Sequence, residues 1–75
     1  MEAFRVSELQ EFLRIADVTR ATGLHRSSIY RLMTAGDFPA PVKAMGQGGS
    51  RWLASEIAAW QAGRIAARNA EKVAA

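Results

Sequence analysis

The chain has no cysteine, a single histidine, two prolines and no apolar run of about eighteen residues. Each lack closes off a class of protein. Without thiols there is neither a disulfide framework nor a thiolate metal centre, so the fold must rest on apolar packing or on self-association. Without a long apolar run no membrane-spanning helix is expected, and Met1-Glu2-Ala3-Phe4-Arg5 lacks the basic-then-apolar layout of a secretory signal. A soluble, intracellular protein with no membrane partner is therefore expected, and the lack of cysteine agrees with a cytoplasmic one. His25 stands alone, and no carboxylate pair is joined by a base or a ligand, so neither catalysis, nor a metal, nor a cofactor is expected. Glu8 and Glu11, one helical turn apart, read as solvated surface charges.

What remains is small and unevenly charged. Seventy-five residues make one domain, and a chain of this size buries only about 60 to 65% of its unfolded surface, so its core is small. The net charge is +3, but residues 1–13 carry one arginine against three glutamates, while residues 14–51 carry six basic against two acidic side chains. A basic middle segment points to a polyanionic partner, and on a small domain nucleic acid is the first candidate. Ordinary solvated charge is the plainer alternative.

Along the chain, Phe4, Val6, Leu9, Phe12 and Leu13 punctuate the first segment, and Ser7 followed by Gln10 has the form of a capping box, which predicts a short helix over 7–12. Leu13-Arg14-Ile15 reads as a brief extended piece or a lead-in to the next helix. Residues 16–22 then form a two-turn helix with Asp17 in its first turn, where a negative charge suits the helix dipole. Gly23 ends it, supplying the positive φ of a tight turn, and Leu24 drops between this helix and the next. In the following helix Ile29, Leu32 and Met33 recur at i, i+3, i+4 and form its inner face together with Val18 and Leu24. Arg26, Ser27, Ser28, Tyr30, Arg31 and Thr34 are left facing outward, none of them acidic. This is helix-turn-helix grammar.

Gly36 closes the second helix, and Asp37-Phe38-Pro39-Ala40-Pro41 must turn away from it, with Phe38 as the apolar anchor of the corner. Val42-Lys43-Ala44-Met45 and Arg51-Trp52-Leu53 read as short strands joined by Gly46-Gln47-Gly48-Gly49-Ser50, a β-hairpin or wing. The glycines follow neither the P-loop nor the dinucleotide pattern, and nucleotide binding is set aside. A last helix begins near Ala54-Ser55, with Glu56 in its first turn and Ile57 and Trp60 facing inward. Its alanine-rich end, with Ile65 and Val73, reads as a frayed extension or a dimer contact. The expected division is an N-terminal segment over 1–12, a mainly α winged helix-turn-helix with a small β-hairpin over 13–64, and a helical extension or tail over 65–75.

Taken together, Leu13-Arg14-Ile15, Thr22-Gly23-Leu24, Arg26-Ser27-Ser28-Ile29-Tyr30-Arg31, the Gly36–Lys43 corner, Arg51-Trp52, Ser55-Glu56-Ile57 and Trp60 resemble the AlpA-type regulators of phages, prophages and mobile elements. That family is similar to excisionases and to MerR-type proteins, so the resemblance implies a winged DNA-binding domain acting in transcription or in excision. His25 stands where the family usually has a serine or threonine cap, which leaves capping weaker or hands it to the imidazole. The Gly46–Ser50 loop is poorer in basic residues than many family wings.

If the helix over 25–35 enters a major groove, Arg26 and Arg31 can each donate two hydrogen bonds to a guanine edge or pair with a phosphate, and Ser27, Ser28 and Tyr30 reach the same surface. Arg14, Arg20, Thr34, Lys43 and Arg51 are the expected backbone contacts, adding salt-dependent affinity. The plainer alternatives are a solvated face for the arginines and a partly buried ring for Tyr30. Trp52 and Trp60 are placed in the core in preference to stacking on bases.

Three roles follow. One is a sequence-specific regulator of transcription on double-stranded DNA in the bacterial cytoplasm, associated with the nucleoid and meeting RNA polymerase. A second is a recombination directionality factor that bends attachment-site DNA for an integrase, and a third is a protein-binding adaptor, against which the basic outward face counts. A domain this small reads few base pairs, so a homodimer, a cooperative array or a partner is expected.

Overall fold

The computed structural model of the chain describes residues 9–43, 46 and 49–74, with side chains to residue 72. Its elements are β1 (Phe12–Leu13), α1 (Ile15–Thr22), α2 (Arg26–Thr34), β2 (Trp52–Leu53) and α3 (Ala54–Ala74), a mainly helical architecture with a small antiparallel sheet, as expected.

Local chemistry sets the ends of α1 and α2. The Arg14 backbone N–H donates to Asp17 Oδ2 at 3.0 Å, so the acid expected to suit the dipole also ties down the start of α1. Gly23 ends that helix at φ 74° and donates to the Thr19 carbonyl at 2.8 Å. A β-carbon at Gly23 would meet nothing within 4 Å, so the backbone dihedral and not space demands glycine there. Leu24 N–H then donates to Thr22 Oγ1 at 3.2 Å, which holds the turn that lets Leu24 reach the core. At the far end of α2 the Gly36 N–H bonds the Met33 carbonyl at 3.0 Å and the Asp37 N–H bonds the Leu32 carbonyl at 2.8 Å, a Schellman motif with Gly36 at φ 81°.

The core takes one buried side chain from each part of the chain: Val18 of α1, Ile29 of α2, Phe38 of the corner, Trp52 of β2 and Ile57 of α3. Leu13, Ile15, Leu24, Leu32, Met33 and Trp60 pack against them. Both tryptophans are structural, as expected. Trp52 Nε1 donates to the Pro39 carbonyl at 3.1 Å and Trp60 Nε1 to the Asp37 carbonyl at 2.7 Å, so two indoles clamp the corner that the prolines bend. Phe38 lies edge-on to Trp60 with centroids 4.8 Å apart.

The strands depart from expectation. β2 pairs not with a neighbouring hairpin arm but with β1 from the start of the chain, in antiparallel register Phe12↔Leu53 and Leu13↔Trp52. The expected wing pairing is present among the described residues as a bridge between Val42 and Arg51, with N–H to carbonyl distances of 2.6 and 3.0 Å. Residues 44, 45, 47 and 48 lie outside the described residues. The short helix expected over 7–12 is not found in its described part: Leu9–Glu11 have no regular structure and Phe12 begins a strand. Ser7 and Glu8 lie outside the described residues. The reason is tertiary. Gln10 accepts a hydrogen bond from Ser55 Oγ at 3.1 Å, and the Glu11 carbonyl accepts from the Ala54 N–H at 2.9 Å, so this segment caps α3 instead of closing a helix of its own.

α3 extends past the end of the packed unit. Gln61 Nε2 donates to the Ala21 carbonyl at 2.9 Å, tying α3 to the end of α1, and Arg64 lies 5.6 Å from the Trp60 ring centroid. From residue 62 to 72 the side chains are exposed. A 21-residue helix is about 31 Å long. The radius of gyration is accordingly 15.0 Å, against about 11 Å for a compact chain of this length.

Candidate nucleic-acid interface

The outward face of α2 exists because its inward face is anchored. Ile29 is completely buried, Leu32 and Met33 flank it, and 3.6 residues per turn then carries Ser27, Tyr30, Arg31 and Thr34 to the opposite side, within about 100° of arc. All four are exposed, as is Arg26 at the margin of that arc. Ser28 is half-buried on the Leu32 flank, so of the residues expected to face outward together it is the one set furthest back. The Thr34 hydroxyl donates to the Tyr30 carbonyl at 3.0 Å and is turned onto its own helix.

His25 caps α2 through the imidazole, in an extended backbone conformation (φ −71°, ψ 151°). Its Nδ1 accepts the Ser27 N–H at 3.2 Å and lies 2.9 Å from Ser27 Oγ. Whereas α1 has Asp17 and α3 has Glu56 in the first turn, α2 has no acid there. The positive end of the α2 dipole therefore carries no side-chain counter-charge of its own.

The other candidate side chains are spread around this arc. Arg14, Tyr30 and Arg51, with Ile15, Ser50 and Trp52, line a cavity of about 340 Å3 between the start of α1, the middle of α2 and the wing side of the sheet. Tyr30 is held there by an edge-on contact with Trp52 at 6.5 Å, and Arg51 Nη1 donates to the Ser50 carbonyl at 3.1 Å. Arg26 lines a second cavity of about 400 Å3 with Thr19 and His25. Ser27 and Arg31 line neither cavity and stand on the open arc. Arg20 is set apart, bonded through Nη2 to Asp17 Oδ1 at 2.6 Å, and Lys43 is exposed beside the Val42–Arg51 bridge. Sequence reasoning did not reach Ser50 or Thr19, since neither carries a periodic or motif signal.

Among the described residues there is no group of three or more side chains able to hold a metal ion, and no helix long and apolar enough to cross a membrane. A helix-turn-helix whose second helix presents an exposed, acid-free face, flanked by a strand bridge on one side and packed on a third helix, is a winged helix-turn-helix domain.

Comparison with known proteins carries this one step further. The chain belongs to the AlpA family: the family described as prophage CP4-57 regulatory protein (AlpA) matches residues 11–65. It is 48% identical over 59 residues to a protein of Enterobacteria phage P4 that bears the name uncharacterized protein ORF88, a match covering 79% of this chain and 66% of the phage protein. The matched part is thus just under two thirds of that relative. No solved structure matches the chain.

Proposed function

We propose that this chain is a sequence-specific double-stranded DNA-binding regulator of a phage, prophage or mobile element, which reads the major groove with α2 and acts without catalysis in the cytoplasm of a bacterial host. The observation that carries the reading is the α2 face itself: Arg26, Ser27, Tyr30 and Arg31 exposed on a helix whose opposite side is fixed by the buried Ile29, with no acid in its first turn. An α-helix fits the major groove, and arginine can donate two hydrogen bonds to the O6 and N7 of guanine there. Ser27 and Ser28 add shorter-range donors and acceptors. Arg14, Lys43 and Arg51 supply phosphate contacts, which set register and add salt-dependent affinity without sequence choice. Arg20 and Thr34 contribute less, because Asp17 and the Tyr30 carbonyl engage their polar groups.

The test is a footprint of the full chain on the DNA flanking its own coding region. Protection of a promoter, with transcription altered in the absence of any integrase, supports the regulator. Protection of an attachment site by several copies side by side, with stimulated excision, moves the same domain to the recombination role. No protection at any duplex, together with capture of a protein partner through α2, removes DNA from the reading.

A further inference from the structure

We infer that His25 fixes the polarity of Ser27, so that this serine meets DNA as a hydrogen-bond acceptor only and selects a base that carries an amino group in the major groove. The inference rests on the DNA-binding reading and says what one position of α2 distinguishes. It begins with the cap. Ser27 donates its backbone N–H to His25 Nδ1 at 3.2 Å, so Nδ1 holds a lone pair and the proton of the neutral ring is on Nε2. Ser27 Oγ lies 2.9 Å from the same nitrogen. Two atoms turning lone pairs on each other would repel at that distance, so the hydroxyl proton lies between them. Ser27 Oγ–H therefore donates to Nδ1 alongside the backbone N–H.

The place of Ser27 in the helix explains why its proton goes there. A hydroxyl further along a helix can donate to the carbonyl one turn back, as Thr22 does to Val18 at 2.8 Å and Thr34 to Tyr30 at 3.0 Å. Ser27 is the second residue of α2, and the residue four before it is Gly23, which ends α1 in the left-handed conformation. The imidazole takes the place of the carbonyl. With its one proton engaged, the exposed Ser27 hydroxyl keeps only lone pairs for a partner. In the major groove adenine N6 and cytosine N4 donate, whereas guanine O6 and N7 and thymine O4 accept. An acceptor-only serine matches the amino groups and opposes the carbonyls. Arg26 and Arg31 are the converse, donors only, and suit guanine. Arg31 follows Ser27 by four residues, about 6 Å along the helix axis, so one stretch of the arc carries both halves of a donor and acceptor code. His25 is a positioning residue here, acting through Ser27 without touching a base.

The experiment uses the full chain, first without DNA. Nitrogen NMR of its single imidazole, at a pH where the ring is neutral, finds the proton on Nε2 and Nδ1 bare. A proton on Nδ1 overturns the inference. On the duplex protected in the footprint, each base pair is then changed in turn, and binding of the parent and of Ser27→Ala is read by fluorescence anisotropy. One base matters to the parent and not to Ser27→Ala, and it is adenine or cytosine. Guanine or thymine at that place weakens the parent about ten-fold, the scale of one hydrogen bond lost and an acceptor left unpaired. The same ring without its amino group weakens the parent about as much and leaves Ser27→Ala nearly unmoved. His25→Ser keeps a cap and frees the Ser27 hydroxyl to turn, so the preference at that base shrinks to about two-fold while the melting temperature holds. A Ser27-dependent base that offers only acceptors, the lack of any Ser27-dependent base, or an unchanged preference in His25→Ser overturns the inference and leaves DNA binding by α2 standing. A parent chain without affinity for any duplex overturns the functional reading itself, and the base preference with it.

Discussion

Arg26 and Arg31 lie about 1.4 turns apart on α2 and sit in different surroundings. Arg26 follows the His25 cap and shares a cavity with His25 and Thr19, whereas Arg31 stands in the last turn on the open arc. On the footprinted duplex, Arg26→Ala and Arg31→Ala should each cost about 1–3 kcal/mol of specific binding, read by fluorescence anisotropy. If both variants bind that duplex as tightly as the parent, α2 is not the reading helix. Lys43→Ala should instead weaken all duplexes alike and flatten the salt dependence by about one phosphate. His25 bears on stability as well: its Nδ1 takes the Ser27 N–H, so His25→Ala should lower folding stability by about 0.5–2 kcal/mol in urea titrations, and His25→Ser should restore it. The residues themselves announced the exposed arc correctly through the spacing of Ile29, Leu32 and Met33. They could not show that Ser28 sits back toward Leu32 or that Tyr30 leans on Trp52, because both depend on what packs beside the helix.

At the scale of the element, the turns were written most plainly. Gly23 and Gly36 were expected at helix ends and both adopt positive φ. Gly23→Ala should therefore cost about 1–2 kcal/mol, the left-handed penalty of a residue with a β-carbon, although there is open space around it. A melting temperature unchanged by this substitution would show that the turn does not need its left-handed residue. The first strand was not legible. Leu9, Phe12 and Leu13 have helical spacing, and Ser7 with Gln10 resembles a cap, yet two residues of strand gain their hydrogen bonds only from β2. Of the wing, only the meeting of its two ends lies within the described residues, as a bridge between Val42 and Arg51, and the expected second arm is shared, since Trp52 and Leu53 pair with β1.

For the whole molecule, one small core serves every element. Trp52 is fully buried, hydrogen-bonds the corner, touches Tyr30 and belongs to the strand that joins β1 to α3. Trp52→Ala should cost about 3–5 kcal/mol, a large share of the margin of a domain this size, and circular dichroism should report a largely unfolded chain at ambient temperature. The outer part of α3 behaves differently. Ending the chain after Ile65 removes only exposed side chains among the described residues, so the melting temperature of the remainder should fall by no more than a few degrees. A large fall would mean that the extension is packed on something, a second copy being the first candidate for analytical ultracentrifugation. The sequence by itself determined the left-handed turns, the buried stripe of α2 and its basic outward face, because each follows from dihedral preference and periodicity within a few residues. Only the tertiary structure decided that Phe12–Leu13 form a strand, that Arg14, Tyr30 and Arg51 meet at one cavity, and that α3 projects beyond the core. Those outcomes rest on contacts such as Gln10 with Ser55 and Leu13 with Trp52, whose partners are too far apart along the chain for any local pattern to specify.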